Sequence, residues 1–228
     1  MKLAKQHLDI GLYTNNKDAM LEFWQTVVGL EFDHLGKLGG GIHQHRHFLG
    51  DGPTGPILKI NHSRGELPDV GPSGYRRLSI VRDGIDEAKL LVDPDGNEVA
   101  LIPPTPDHPS GIAIEMGVRD LAAFDRYFSE ALEFTPAGEH RWKCGDTVVI
   151  GVADPAAKDD VPLLGLGYRY LTMQIFDADG CYQHVLENGG QGGKAPETLG
   201  TTVRYGFVRD ADGNWIELSQ RATLTGAL

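Results

Sequence analysis

Long apolar runs are missing from this 228-residue chain. No stretch approaches the roughly 18 consecutive apolar residues a membrane-spanning helix needs, and the opening MKLAKQHLDIGLY lacks the apolar core of a secretory signal. The expected location is therefore the cytoplasm, with no membrane partner. Cysteine is scarce too: only Cys144 and Cys181 occur, with no CxxC pair. That excludes a disulfide-stapled scaffold or a multi-cysteine zinc site, and leaves reduced, half-buried thiols as the expectation. Positive charge is in deficit, with 21 Lys and Arg against 32 Asp and Glu and a net charge of −11. The acidic residues are spread along the chain, and such a surface repels phosphate backbones, so nucleic acid is not an expected partner. What remains, 40% hydrophobic and 23% charged residues, is ordinary globular composition with enough apolar mass for a sizeable core.

The chain reads as two related halves, 1–106 and 107–228. In the first, residues 8–13 form an apolar strand. Asn15, Asn16 and Asp18 supply turn and cap residues. Met20, Leu21, Phe23, Trp24, Val27 and Val28 then recur at helical spacing, and Gly29 is placed to end that helix in a left-handed conformation. Strands are expected over 32–38, 42–49 and 57–62, separated by turns at Gly39-Gly40-Gly41 and at 50–56. The second half repeats the scheme. Residues 112–118 form a strand, Asp120 a cap, and Leu121, Phe124, Tyr127, Phe128, Ala131 and Leu132 a helical stripe. One constant offset superposes Phe23-Trp24 on Tyr127-Phe128 and Val28 on Leu132.

A second repeat follows in each half. Gly74-Tyr75-Arg76 recurs as Gly167-Tyr168-Arg169, and Asp93-Pro94-Asp95-Gly96-Asn97 as Asp210-Ala211-Asp212-Gly213-Asn214, each preceding a strand. Asp-Gly and Gly-Asn supply the positive φ angles of tight turns. The interval from Tyr75 to Gly96 is less than half that from Tyr168 to Gly213. The later module has room for a helix over 179–187 and a glycine-rich turn over 189–193; the earlier one is truncated. The expected fold is α+β, with mixed sheets from tandem βαβββ modules and helices on their outer faces.

Histidine is concentrated early: six of nine lie within the first 62 residues. His43, His45 and His47 alternate on one strand, so their imidazoles share a face about 6.6–6.8 Å apart, and His62 ends the strand that should pair with theirs. Imidazoles so placed can converge on a metal or a substrate group, or transfer protons near neutrality. They can equally be a solvated polar face.

The segments DAMLEFWQTVVGLEF, DPDGNEVALI and DADGNWIEL, in this order, resemble the vicinal oxygen chelate superfamily, which includes glyoxalase I, extradiol dioxygenases and bleomycin-resistance proteins. The resemblance covers nearly the whole chain as four modules. It implies a cleft in a curled sheet, with a His on the first strand of a module and a Glu near the end of its last strand holding a divalent metal (Fe, Zn, Mn or Ni) that chelates two substrate oxygens. Carried over by position, the first-strand sites fall on Asp9, Ala113, Tyr75 and Tyr168, and the late-strand sites on Lys59, Ala100, about Ile150 and Glu217. Only Glu217 is a usual ligand. Taken with the histidine spacing, this makes Glu217, His45, His47 and Tyr168 the catalytic candidates and His45, His47 and Glu217 the metal candidates. His43, His62, Tyr75, Lys59 and Asp9 are substrate-contact candidates, with Lys59 and Asp9 able to form a buried ion pair in place of the metal. Pairing of the first with the last module would bring these residues to one cleft. The implied function is an enzyme (lyase, isomerase or ring-cleaving dioxygenase) acting on a small oxygenated metabolite, as a monomer or homodimer. The alternative is a metal-free binding or sequestering protein of the bleomycin-resistance type, or a scaffold without a site.

Overall fold

The computed structural model describes residues 1–50 and 52–228; the turn expected at 50–56 includes Asp51, which lies outside them. Four modules follow one another. The first is β1 (Leu3–Thr14), α1 (Lys17–Glu22), β2 (Phe32–Gly39), β3 (Ile42–Phe48) and β4 (Ile57–Ser63). The second has only β5 (Tyr75–Val81), β6 (Lys89–Val92) and β7 (Glu98–Ile102), with no helix among its described residues. The third is β8 (Ile112–Val118), α2 (Leu121–Arg126), β9 (Thr135–Gly138), β10 (Arg141–Cys144) and β11 (Thr147–Ala153). The fourth is β12 (Gly167–Ile175), α3 (Ala178–Glu187), β13 (Gln191–Leu199), β14 (Val203–Arg209) and β15 (Trp215–Arg221), followed by a single turn, α4 (Ala222–Thr225).

Both N-terminal helices of the halves loosen into a π turn at matching positions, Phe23–Val27 and Tyr127–Ala131. Their defining bonds run from Val28 N to Phe23 O at 2.9 Å and from Leu132 N to Tyr127 O at 3.0 Å. Asp120 caps α2 by accepting from Ala122 N and Ala123 N. Asn16 stands at the equivalent place on α1 without a side-chain cap bond, and Asn15 instead braces the loop after β4 through Ser63 O, Gly65 O and Leu67 N. The glycine-rich stretch 189–193 is only partly a turn, because β13 begins at Gln191.

The strands assemble across the halves. An eight-stranded sheet runs β13-β14-β15-β12-β1-β4-β3-β2, joining modules four and one; a seven-stranded sheet runs β6-β7-β5-β8-β11-β10-β9, joining modules two and three. At the centre of each, the two first strands pair antiparallel: Asp9 opposite Thr172 and Gly11 opposite Tyr170 in the larger sheet, and Ser79 opposite Ala113 in the smaller. Period-two alternation sends Leu8, Ile10, Leu12, Leu58, Ile60, Leu171, Met173, Ile216 and Leu218 to the back of the larger sheet. There they pack with Trp24, Phe128, Leu78, Ile80, Ile114 and Met116 in one core. Trp24 and Phe128, both 0% exposed, are the largest apolar anchors the helices contribute, and truncating either to alanine would cost about 3–5 kcal/mol.

The repeated motifs clasp the modules reciprocally. Asp93 Oδ1 accepts from Asp95 N and Asn97 N, closing the first turn, and Asn97 Oδ1 accepts from Tyr168 N. Asp210 Oδ1 closes the second turn on Asp212 N and Asn214 N, and Asn214 Oδ1 accepts from Gly74 N at 2.8 Å. The tyrosines complete the clasp: Tyr75 Oη donates to Trp215 O at 2.8 Å and Tyr168 Oη to Glu98 O at 3.2 Å.

Candidate functional site

The inner face of the larger sheet encloses a cavity of about 480 Å³, within the size range of small-molecule sites. Its walls are aromatic and apolar: Tyr13, Tyr170, Tyr205, Phe207 and Trp215, with Leu38, Ile42, Leu163, Leu199 and Val203 at the sides. Phe207 stands edge-on to Tyr170, Tyr205 and Trp215 at centroid distances of 6.0, 6.2 and 5.9 Å. Tyr170 reaches into the cleft because its partner on β1 is Gly11; a Cβ there would lie 2.1 Å from the Tyr170 ring.

The floor is polar and closed upon itself. Lys59 Nζ donates to Thr172 Oγ1 at 2.6 Å and to Glu217 Oε2 at 2.8 Å, and Thr172 Oγ1 donates to Glu217 Oε2 at 2.7 Å. The Lys59 ammonium lies 5.4 Å from the Tyr170 ring centre. Alongside, Asn61 Nδ2 donates to Tyr170 Oη, Gln44 Nε2 to Asn61 Oδ1, and Arg46 Nη1 to Gln44 Oε1. Asp9 is fully buried, its Oδ1 taken by Lys5 Nζ and Ile57 N and its Oδ2 by Gln174 Nε2. Burial acts to raise the Asp9 pKa, but Lys5, Lys59 and Arg46 outweigh it and hold the carboxyl below its usual range. Burial likewise opposes ionisation of Glu217, and Lys59, by charge and hydrogen bond, together with Thr172 brings its pKa down. For Lys59, burial prevails over Glu217 and Asp9, and its pKa is lowered.

Lys59 and Glu217 line the cavity, whereas Asp9 is fully buried and outside its lining, and Lys59 takes Glu217 rather than Asp9 as its ion-pair partner. The structure does not bring the histidines there. On β3, Gln44 and Arg46 face the cleft, while His43, His45 and His47 face the other way. His47 is 0% exposed, with its Nε2 2.9 Å from Gln25 of the first helix and its ring 5.5 Å from that of Phe32. His45 lies beside Phe32, and His43 against His62 at 6.4 Å. His43, His45, His47 and His62 are thus corrected from site residues to residues of the outer face. Burial, then neighbouring imidazole or lysine charge, lowers the pKa of His45, His47 and His62, that of His47 to about 4.

Tyr168 and Tyr75 are corrected as well. An extra residue, Arg169, interrupts the pairing between Leu12↔Tyr168 and Gly11↔Tyr170. Thr172 and Tyr170 face the cleft by regular alternation, and the bulge then turns Tyr168, which would have joined them, into the core. A matching irregularity lies between Tyr75 and Arg77. In the sequence, the cleft residues Gln44 and Arg46 are signalled only as the alternates of the histidines, and Tyr170 and Thr172 only as the residues two and four beyond Tyr168.

A divalent metal does not fit these donors. Both oxygens of Asp9 and Oε2 of Glu217 are engaged, the Lys59 ammonium already lies 2.8 Å from Glu217, and the histidines are on the opposite face. Among the described residues, no three His, Cys, Asp or Glu side chains come together in a way that could hold a metal ion. In the smaller sheet the corresponding positions are Ala100, Ala113 and about Ile150, which carry no ligating group. No helix of the described residues is long and apolar enough to cross a membrane.

Residues 107–218 match the model of the Glyoxalase/Bleomycin resistance protein/Dioxygenase superfamily. No curated protein matches the chain significantly in sequence. Among solved structures, a glyoxalase I mutant from Zea mays superposes with a TM-score of 0.76 at 15% identity, over 96% of this chain and 93% of that one. A candidate dioxygenase from Bacillus subtilis superposes with a TM-score of 0.72 at 13% identity, over 96% and 86%. At such identities these likenesses establish the fold. The family match thus assigns modules three and four, residues 107–218, to the vicinal oxygen chelate (glyoxalase/bleomycin resistance/dioxygenase) superfamily, and the chain as a whole has the fold of its members.

Proposed function

We propose that the chain binds a planar aromatic small molecule in the cleft of its larger sheet, without a metal ion, in the manner of the sequestering members of the superfamily. One observation supports this reading: an aromatic-walled cavity of about 480 Å³ is lined at its polar end by Lys59 and Glu217, which are hydrogen-bonded to each other and through Thr172. Flat rings stack on Tyr, Phe and Trp faces with a gain of about 0.5–1.5 kcal/mol per pair beyond area burial. The buried lysine favours a second reading, in which Lys59 and Glu217 exchange a proton with a bound carbon acid; its lowered pKa suits that role.

The test combines metal analysis with calorimetry. After loading with Fe, Zn, Mn or Ni and dialysis, the protein should retain far less than one equivalent. It should bind the neutral probe 2-naphthylmethanol, and Ile42→Trp, which narrows the cavity, should weaken that binding at least tenfold. Stoichiometric metal lost in Glu217→Ala, or probe binding indifferent to Ile42→Trp, would overturn the first reading.

A further inference from the structure

The charges of the cleft are matched one by one, with an exception. Lys59 faces Glu217 at 2.8 Å, Lys5 faces Asp9 at 3.1 Å, Lys194 faces Glu197 at 2.6 Å, and Arg46 stands 3.5 Å from Asp33. Arg221, the last residue of β15, lines the same cavity. Among the described residues it has no ion-pair partner, and its buried Nε–H has no acceptor. Burial, and then the charge of Arg46, lower its pKa; Glu217, Asp9 and Asp33 counter only in part. Two residues back on the same face, the Ser219 hydroxyl is buried and also without a partner.

A desolvated donor left unpaired costs about 1–3 kcal/mol, more when charged, and here two such donors stand two residues apart on the face of β15 that carries Glu217 and Arg221 to the cavity. Both point to the same kind of occupant, since a guanidinium and a hydroxyl can each donate to the oxygens of an anion. The wall beside them is suited to a ring. On the neighbouring strand Val203 pairs with Arg221 and Tyr205 with Ser219, which sets the Tyr205 ring about 7 Å along the strand from Arg221, the span of a two-ring aromatic acid.

We propose that the Arg221 end of the cleft is an anion subsite, and that the ligand is a planar aromatic carboxylate whose ring packs on Tyr205 and Phe207 while its carboxylate pairs with Arg221 and accepts from Ser219. This rests on the reading of the cleft as an aromatic-binding site, and adds its charge preference.

Three isosteric probes separate the two statements: 2-naphthoate, 2-naphthylmethanol and 2-naphthylmethylammonium, titrated calorimetrically into the full chain at low ionic strength. The carboxylate should bind at least tenfold more tightly than the alcohol, and the ammonium most weakly. Arg221→Gln should erase the preference for carboxylate while leaving the alcohol within about twofold, and Arg221→Lys should restore part of it. Circular dichroism and thermal melting of each variant confirm folding. Equal binding of all three probes, or a carboxylate preference that survives Arg221→Gln, overturns the anion subsite and leaves the aromatic reading standing. If no probe binds, both fall.

Discussion

Lys59 and Glu217 share a buried bond whose two ends come from opposite halves of the chain, 2.8 Å apart and bridged by the Thr172 hydroxyl. Such a pair contributes little net stability when formed, because desolvation of the two ions offsets their attraction, but loss of one partner strands the other. Lys59→Met should therefore destabilise by about 3–5 kcal/mol at neutral pH, whereas Lys59→Met/Glu217→Leu should lie within about 1 kcal/mol of the parent. Urea unfolding of both single variants and the double variant gives the coupling; additive losses would contradict the pairing. The pH dependence has a definite sign. Glu217 is held below its ordinary pKa by Lys59 and Thr172, so its contribution is complete above the unfolded carboxylate range near about 4.3 and disappears as the pH falls through its folded value. The Lys59→Met penalty should shrink in acid accordingly. The positions of Asp9, Lys59 and Glu217 were legible from the repeat itself. The choice of partner was not, because it depends on β1 and β12 standing side by side between β4 and β15.

An element such as β3 shows why a pattern can be legible and its meaning not. Period-two spacing places His43, His45 and His47 on one face with certainty, yet says nothing of which face meets the cleft; a shift by one residue exchanges the two. The fold turns the imidazoles under the first helix and gives Gln44 and Arg46 to the cavity side, and the bulge at Arg169 turns Tyr168 away from the face of Tyr170 and Thr172 into the core. The helices were easier to read, since their apolar stripes and the Asp120 cap are local signals, whereas bulges are set by pairing partners far along the chain. Burial of the β3 histidine face makes a measurable demand. The pKa of His47 is lowered to about 4, chiefly by burial and then by His45, so the folded state favours the neutral ring. The resulting stability is complete above the unfolded pKa of about 6.5 and is lost as the pH falls toward the folded value, about 2 kcal/mol of it by pH 5. Asp210, raised to about 6 by burial, works in the opposite direction over the same interval. The informative quantity is therefore the difference between the parent and His47→Gln, from which Asp210 cancels. Urea unfolding at pH 7 and pH 5 should show that difference narrowing in acid; a constant difference would mean that His47 is protonated alike in both states.

At the scale of the molecule, each half of the chain supplies one module to each sheet, so the cleft floor draws Lys59 from one half and Thr172 and Glu217 from the other. The division at 1–106 and 107–228 is proposed here as one of sequence ancestry rather than of folding independence. The halves meet along the β1–β12 and β5–β8 ladders at the centres of the two sheets. They are clasped again by Asn97 on Tyr168 and by Asn214 on Gly74. The segment 103–111 that joins them lies between β7 and β8 and is mostly exposed. Its covalent continuity adds only a loop-closure term to what the ladders already hold. A protease site inserted between Thr105 and Pro106 and then cut should leave two fragments that co-elute in native buffer, keep the parent far-ultraviolet spectrum and separate only in denaturant. Either fragment produced alone would expose β1 or β12 as a long apolar edge with half a core behind it, and should aggregate or remain unfolded. Separation of the cut halves in native buffer would mean that each closes its own core. The larger sheet, and with it the cleft, would then be a docked arrangement rather than a single folded unit.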